Sequence, residues 1–219
     1  MRTITVKGVG SVSAKPDYIT LSMAVESTDK EYDIALQKAS QRIALLQAVA
    51  SQNRFEDGSL KTTDFHVTTE YENVKDRNGN YRREFAGYRC TYQLKLSFEL
   101  DGLRLAQTLS SISASGAKPE LSIAFTVKDP SKVSRELLES ASLNAKEKAE
   151  VLCNCMGVEL GALMSIDYNW GELNVFSRTR YEIEDGIMPL MATSECSVPE
   201  IEPDDIDVRD TVTFIWEIA

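Results

Sequence analysis

The stretch TITVKGVGSVSAKPDYITLSMAV, residues 3–25, predicts a strand, a tight turn and a second strand. The turn is indicated by Lys-Pro-Asp at 15–17, because proline presets the backbone for a turn. Gly8 and Gly10 lie in the first strand, where glycine is unusual, and predict a bulge or a close approach of another backbone. Apolar residues take every second position of the second strand and define its buried face: Ile19, Leu21, Met23 and Val25.

Three segments further along the chain show helical periodicity. Thr28-Asp-Lys-Glu31 has the pattern of a capping box and predicts a helix over about 29–52. Asp101 precedes a short second helix, for which it is the predicted N-cap. A third helix with an alanine-rich face is predicted over 130–156, because Asp129 is followed by proline at the first helical position.

Alternating apolar residues predict the remaining strands. The longest covers 88–100 and follows a hairpin at 71–88, whose Asn78-Gly79 is a strong turn signal. We expect this hairpin to project beyond the sheet. The predicted order, β-β-α-β-β-α-β-α-β-β, indicates an α+β fold with helices packed on one face of a mainly antiparallel sheet. Residues 1–219 are expected to form a single domain.

The negative charge is concentrated towards the C-terminal end of the chain. The net charge is −10, and residues 171–207 contribute −8 through ten acidic residues against Arg178 and Arg180. Such a run is typical of a solvated loop, so an acidic irregular insertion is expected at about 171–205. No nucleic-acid partner is predicted, because a protein that neutralises phosphates needs the opposite sign of charge.

The residues do not show the pattern of a catalytic, cofactor-binding or metal site. His66 is the only histidine, and it takes an outward-facing position on a predicted strand. Gly8-x-Gly10 leads into another strand, so the helix N-terminus of a phosphate-binding loop is missing. The acidic residues at 200–207 lack the glycine and the closing glutamate of a calcium loop. We therefore predict no cofactor and a protein that is not an enzyme.

The four cysteines do not have the spacing of a zinc site. Cys153 and Cys155 lie two residues apart near a helix end, so they point to different faces. Cys90 falls on the apolar face of the long strand and is expected to be a buried, inert thiol. Cys196 lies in the acidic segment and is expected to be more exposed. A thiol-dependent scavenger, or an unrecognised enzyme, is the alternative function.

The sequence shows no membrane-spanning or secretory segment. No apolar run approaches the roughly 18 residues that a spanning helix needs. The stretch after Arg2 alternates as a strand and lacks the apolar core and cleavage site of a secretory signal. A cytoplasmic location is expected, with a periplasmic one as the alternative if the chain has been trimmed.

The ordered set of these features resembles the SIMPL-domain family over nearly the whole chain. The family opens with an apolar strand, a Gly-x-Gly and a Pro-Asp turn, here Gly8, Gly10 and the turn at 16–17. Its middle aromatic hairpin ends in Gly-Tyr, here at 87–88. An alanine-rich helix, a small turn and a strand follow, and the closing strand has a Val-x-Phe pattern, here at 212–214.

The resemblance implies assembly or partner binding rather than a known chemistry. Bacterial relatives include periplasmic immunogenic proteins and proteins tied to oxidative-stress tolerance. One relative assembles into a channel-like ring, and a mammalian relative binds a signalling kinase. No catalytic residue set can be carried over. Many relatives have a signal peptide, which we do not expect in this chain. Relatives also often have glycine after the proline before the last strand, where this chain has Asp204 after Pro203.

We therefore expect a non-enzymatic homo-oligomer, with a protein partner as a further expectation. The predicted hairpin is basic, with Lys75 and Arg77 beside its turn, and is expected to contact an acidic surface of the next subunit. The expected oligomer-contact residues are those that combine aromatic rings with positive charge: Tyr81, Arg82, Arg83 and Phe85.

Overall fold

A computed structural model describes residues 2–75, 81–169, 173–183 and 202–219. Three helices and eight strands lie in these ranges. In chain order they are β1 Thr3–Ala14, β2 Tyr18–Asp29, α1 Tyr32–Gln52, β3 Lys61–Lys75, β4 Tyr81–Glu99, α2 Gly102–Ser115, β5 Glu120–Thr126, α3 Pro130–Met156, β6 Leu160–Asp167, β7 Phe176–Ile183 and β8 Ile206–Ile218. The predicted α+β class and element order are confirmed, with β7 as an additional strand.

The strands form two sheets. The first has the order β1-β8-β6, and the second has the order β3-β4-β2-β5-β7. The pairs β1–β8, β6–β8, β2–β4 and β3–β4 are antiparallel. β1 and β2 enter different sheets, so the Lys-Pro-Asp turn does not close a hairpin. Instead Asp17 holds the turn at the end of β5: its N–H donates to Thr126 O at 3.1 Å, and its Oδ1 accepts from Lys128 N–H at 2.7 Å.

Backbone contacts divide the chain into two compact units. The first unit consists of Met1–Asp17, Phe125–Thr179 and Pro203–Ala219, and the second of Tyr18–Ala124 and Arg180–Glu202. Within the described ranges, no helix is both long enough and apolar enough to cross a membrane.

In the first unit, α3 packs on β1 and β8 through a stripe of alanines. Ala141, Ala145 and Ala149 are fully buried. They form a core cluster with apolar residues of the two strands: Val6, Val212, Phe214 and Trp216. The small side chains of α3 bring the helix close to the sheet, as the alanine-rich face predicts.

Gly8 and Gly10 make this close packing possible. A Cβ added to Gly8 would lie 2.8 Å from the Cβ of Ala145, and one added to Gly10 would lie 3.1 Å from the backbone N of Ala141. Both distances are shorter than ordinary van der Waals contact. The register of β1 on β8 is continuous through both glycines, so they mark a close backbone approach and not a bulge.

In the second unit, α1 packs on β2 and β4. The predicted alternation of β2 is confirmed, because its four apolar positions are buried: Ile19, Leu21, Met23 and Val25. Ala35 and Ala39 of α1 contact Cys90 of β4 in a buried cluster. Ser27 Oγ donates to Ala35 O at 2.7 Å, which satisfies a buried hydroxyl at the helix–sheet contact.

The start of α1 differs from the predicted capping box. Thr28 remains in β2, opposite Arg89 of β4, and α1 begins only at Tyr32. The N-cap is Glu31, whose side chain makes no capping hydrogen bond. Asp29 Oδ1 accepts from the Glu31 N–H at 3.1 Å instead. The pairing of β2 with β4 therefore takes precedence over the local helix-start signal.

The other two helices begin as predicted. Asp101 Oδ1 accepts from Leu103 N–H at 2.9 Å and from Arg104 N–H at 3.1 Å at the start of α2. Asp129 caps α3 by accepting from Ser131 N–H at 3.0 Å, ahead of proline at the first helical position. The Ser131 hydroxyl also donates to this carboxylate, and this hydrogen bond is the main cause that lowers the pKa of Asp129.

The segment expected to be an irregular insertion at 171–205 contains a strand. β7 occupies Phe176–Ile183, where the charged residues Arg178, Arg180 and Glu182 take every second position, as on one face of a pleated strand. Residues 171–172 and 184–201 of the expected insertion lie outside the described residues. Ser177 Oγ donates to Asp204 O at 2.7 Å, so the chain after the insertion returns beside β7.

Candidate assembly surface

The hairpin formed by β3 and β4 extends beyond the rest of its sheet. β2 pairs with β4 only from Glu99 back to Tyr88, where Asp29 ends β2. β3 continues to pair with β4 as far as Tyr81. Residues 70–75 and 81–87 are therefore a two-stranded extension, which we call the hairpin ribbon. The predicted projection is confirmed, and the turn at 76–80 lies outside the described residues.

The long strand 88–100 and its hairpin at 71–88 were both expected to offer exposed edges, and among the described residues the hairpin part does so, whereas most of the long strand does not. From Tyr88 to Lys95, β4 is paired with β2 on one side and with β3 on the other. Its backbone groups are therefore satisfied there. In the part of the chain that the structure describes, residues 81–87 of β4 have a strand neighbour on one side only, so their other edge is unpaired.

A bulge separates the hairpin ribbon from the sheet. Glu70 lies opposite Gly87 and Tyr71 lies opposite Phe85, so β4 carries one extra residue at this point. Gly87 has φ +155°, and a Cβ added to it would lie 2.5 Å from Asp29 O. Only glycine allows the end of β2 to pass so close. This gives a physical reason for the Gly-Tyr pattern at the end of the aromatic hairpin.

Aromatic rings connect the ribbon to α1. The ring of Tyr71 lies 6.0 Å from that of Phe85, and the ring of Phe85 lies 5.2 Å from that of Tyr88, both nearly edge-on. Tyr88 in turn meets Tyr32 of α1 at 5.6 Å and 87°. This geometry suits aromatic pairs and holds the base of the ribbon in place.

One face of the ribbon combines exposed rings with positive charge. Across the two strands, Tyr71 lies opposite Phe85 and Lys75 lies opposite Tyr81. The guanidinium carbon of Arg83 lies 4.5 Å from the centre of the Tyr71 ring. Exposed fractions are 47% for Tyr71, 44% for Phe85 and 73% for Tyr81. We call these five residues the aromatic–cationic face.

Three of the four expected contact residues share this face, and the fourth does not. Tyr81, Arg83 and Phe85 alternate to the same side of β4. Arg82 lies between them in sequence, pairs with Val74, and therefore points to the opposite side. The two arginines that were expected to make the contact, Arg82 and Arg83, therefore lie on opposite faces of the ribbon.

The base of the ribbon is also held by a charged network on Arg89. Arg89 Nη1 donates to Glu26 Oε2 of β2 at 3.0 Å. Its Nε lies 2.9 Å from Glu70 Oε1 of β3. Arg89 thus links three neighbouring strands where the ribbon leaves the sheet. Arg89 was not among the residues expected from the sequence, because its two acidic partners lie on neighbouring strands whose order and register no local pattern provides.

Acidic side chains occur in the first unit at the start of β8. Asp204 N–H donates to Thr179 Oγ1 at 3.0 Å, which fixes the backbone beside β7. Asp204, Asp205 and Asp207 are all exposed. This group is part of the acidic segment 171–207, in which Glu202 is also described and exposed.

The structure places the other candidate residues that it describes in separate surroundings. His66 is exposed as predicted, and its Nδ1 lies 3.2 Å from Asp64 Oδ2 on the same strand. Cys90 is fully buried, and burial raises the pKa of its thiol, which disfavours the reactive thiolate. Cys153 is buried and Cys155 is exposed, which confirms that they point to different faces. Cys196 lies outside the described residues.

Comparison with known proteins places the chain in a family. The SIMPL family, described as a protein of unknown function (DUF541), matches residues 4–216. The chain is also similar to the uncharacterized protein YggE of Edwardsiella ictaluri (strain 93-146). The two are 25% identical over 181 residues, which cover 81% of this chain and 72% of the relative. Because the match spans nearly the whole chain, from the start of β1 almost to the end of β8, the protein belongs to the SIMPL family.

Proposed function

We propose that the protein is a non-enzymatic assembly module whose hairpin ribbon contacts an acidic surface of the next copy. The observation that carries this proposal is the aromatic–cationic face, which projects beyond the sheet with three half-exposed or exposed rings. Tyrosine and arginine are the residues that most often dominate binding energy in protein interfaces. Beside them runs an edge of β4 that has no partner strand among the described residues and that carries charged side chains, as open edges of soluble proteins usually do.

Charge supports the orientation of this contact. The ribbon face carries Lys75 and Arg83, whereas residues 171–207 carry a net charge of −8. Opposite charges at the rim of an interface guide docking more than they add affinity. Because the ribbon and the acidic surface are different patches, the contact is heterologous, and a heterologous contact closes into a ring when its rotation permits.

The ribbon offers a matched pair of variants for a test. Arg83→Gln and Arg82→Gln remove the same charge from neighbouring residues on opposite faces. We expect Arg83→Gln to lower the mass of the assembly measured by light scattering at micromolar concentration, and Arg82→Gln to leave it unchanged. Equal effects of the two variants would mean that net charge, and not the aromatic–cationic face, drives assembly.

A thiol-based activity receives no support from Cys90, because its sulfur is buried and protonated. Under our proposal, a role in stress tolerance would depend on assembly instead. A variant with all four cysteines replaced by serine or alanine is expected to keep the wild-type assembly mass. Loss of a peroxide-removing activity in that variant, with assembly intact, would support the alternative function.

A further inference from the structure

An open cavity lies in the second unit, where the end of α1 meets the start of α2. Its volume is about 750 Å³, within the roughly 300–1,000 Å³ of pockets that bind small molecules. The residues that line it are mainly polar, and they include Gln52, Arg54, Asp101, Arg104 and Gln107. Walls of this kind suit a small polar ligand better than an apolar one, because each wall residue offers hydrogen bonds.

The guanidinium of Arg104 has a fixed position in the wall of this cavity. Its carbon Cζ lies 4.1 Å from the centre of the Phe55 ring and 5.7 Å from that of the Phe98 ring. Its Nη2 donates to Arg54 O at 3.2 Å. Among the described residues this is the one acceptor that its five N–H groups meet, so the others are available to an oxyanion without rearrangement of the side chain.

Arg54 occupies a backbone conformation that favours glycine. It follows Asn53, the C-cap of α1, and has φ +58°, in the left-handed region where a side chain is strained. Its N–H donates to Ser51 O at 3.1 Å, a hydrogen bond that glycine would make equally well. Within the described residues the Arg54 guanidinium makes no hydrogen bond or ion pair. A strained arginine without such a partner indicates that its side chain serves binding and not the fold.

Asp101 is the acidic residue of the lining, and its carboxylate is engaged by the backbone. Its Oδ1 accepts from Leu103 N–H at 2.9 Å and from Arg104 N–H at 3.1 Å at the start of α2. The positive end of the α2 dipole offsets part of its charge. In the part of the chain that the structure describes, it forms no ion pair with either arginine. The positive charge of the two guanidinium groups is therefore open to a ligand.

We propose that this cavity binds a small polar anion, whose phosphate or carboxylate group is held by the guanidinium groups of Arg54 and Arg104. Planar guanidinium groups match the oxygen geometry of both kinds of oxyanion. One such group fills only a small part of about 750 Å³, so the ligand has a further polar body. The side-chain amides of Gln52 and Gln107 offer both donors and acceptors to hydroxyl groups on this body.

This site is separate from the assembly contact proposed for the hairpin ribbon. The ribbon meets α1 through Tyr32, in its first turn, whereas the cavity adjoins Gln52, its last residue. The 21 residues of α1 place these two ends about 30 Å apart. Ligand binding and assembly can therefore be measured independently, each in protein whose other site is unchanged.

Calorimetric titration of the full chain with three probes tests the proposal: glucose 6-phosphate, gluconate and glucose. We expect at least one of the two anions to bind at millimolar concentration and the neutral sugar not to bind. Non-specific attraction of anions is not expected, because the chain has a net charge of −10. The anion that binds more tightly identifies the group that the arginines recognise. Absence of binding by both anions, or equal binding of glucose, would overturn the proposal.

Glycine at position 54 separates a role in binding from a role in stability. Arg54→Gly removes the guanidinium and relaxes the left-handed backbone, so we expect an unchanged or higher melting temperature. Anion binding is expected to weaken about 10- to 100-fold in the same variant. Lys118→Gly is the matched control, since Lys118 has φ +47° but lies outside the cavity lining, and its binding is expected to equal that of the wild type. Wild-type affinity in Arg54→Gly, or an equal loss in Lys118→Gly, would contradict the site.

Discussion

The guanidinium of Arg83 lies over the ring of Tyr71, 4.5 Å from its centre, across the two strands of the hairpin ribbon. Arg83 follows Arg82 directly, yet only Arg83 is on the face that holds the exposed rings. The contact joins the two strands of a segment whose other edge has no neighbouring strand in the described part of the chain. It also presents a cation flat against an aromatic surface, which is a favourable arrangement for binding acidic groups.

The first prediction concerns this pair of residues. A double-mutant cycle of Tyr71→Leu and Arg83→Gln is expected to give a coupling of about 0.5–1 kcal/mol, the usual size of an exposed cation–π contact. The measurement is amide exchange of residues 81–85 at high salt, where we expect the proposed assembly to be weakened. Additive effects of the two variants would show that the contact does not hold the ribbon.

The second prediction concerns the glycines of β1. Gly8→Ala and Gly10→Ala are each expected to destabilise the protein by about 1–3 kcal/mol, because the new methyl group would press against the backbone of α3. Gly102→Ala is the control, since no atom lies within 4 Å of a Cβ added there. The free energy of unfolding of all three variants is measured by urea denaturation. Glycine variants of β1 as stable as the control would contradict the packing of α3 on β1.

The third prediction compares two helix starts. Asp101→Ala is expected to cost about 1 kcal/mol, because it removes an N-cap that accepts two backbone N–H groups. Thr28→Ala is expected to change stability by less than about 0.5 kcal/mol, since Thr28 is an exposed strand residue and caps no helix. Thermal unfolding of both variants decides the matter. A large loss of stability in Thr28→Ala would indicate that Thr28 caps α1, and would contradict its place in β2.

The fourth prediction concerns the cysteines. Burial raises the pKa of Cys90 above its ordinary value, so this thiol stays protonated in the folded protein to higher pH than in the unfolded chain. Its contribution to stability is therefore present below the unfolded pKa, about 8.5, and falls as the pH rises above it. In native protein at pH 8, a thiol reagent is expected to label Cys155 and to leave Cys90 unmodified. Rapid labelling of Cys90 without unfolding would contradict its burial.

Much of the fold follows from local patterns, because each reports a physical constraint that acts within a few residues. The alternation of β2, the caps at Asp101 and Asp129, and the close approach at Gly8 and Gly10 are all of this kind. The turn at 15–17 could also be predicted.

Strand pairing could not, because alternation shows only which face of a strand is buried and does not show which strands pair. The entry of β1 and β2 into separate sheets therefore could not be predicted.

Two expectations differ from the structure, each for its own reason. The capping box at Thr28 fails because β2 gains more by pairing with β4 up to Asp29. β7 was missed because acidic composition was given more weight than the alternation of Thr179 and Tyr181 with charged residues.

At the candidate site, successive residues of a strand point to opposite faces, so the sequence alone could have predicted that Arg82 and Arg83 lie on different faces. The bulge opposite Glu70 needs the register of three strands, which no local pattern provides.

We propose that copies of this protein assemble through the hairpin ribbon. The most direct test of this proposal is the mass of the wild-type protein in solution, measured by light scattering at micromolar concentration over a range of salt. We expect a mass of several chains at low salt, with a decrease as salt screens the contact between the ribbon and the acidic surface. A single-chain mass at low salt would contradict the account.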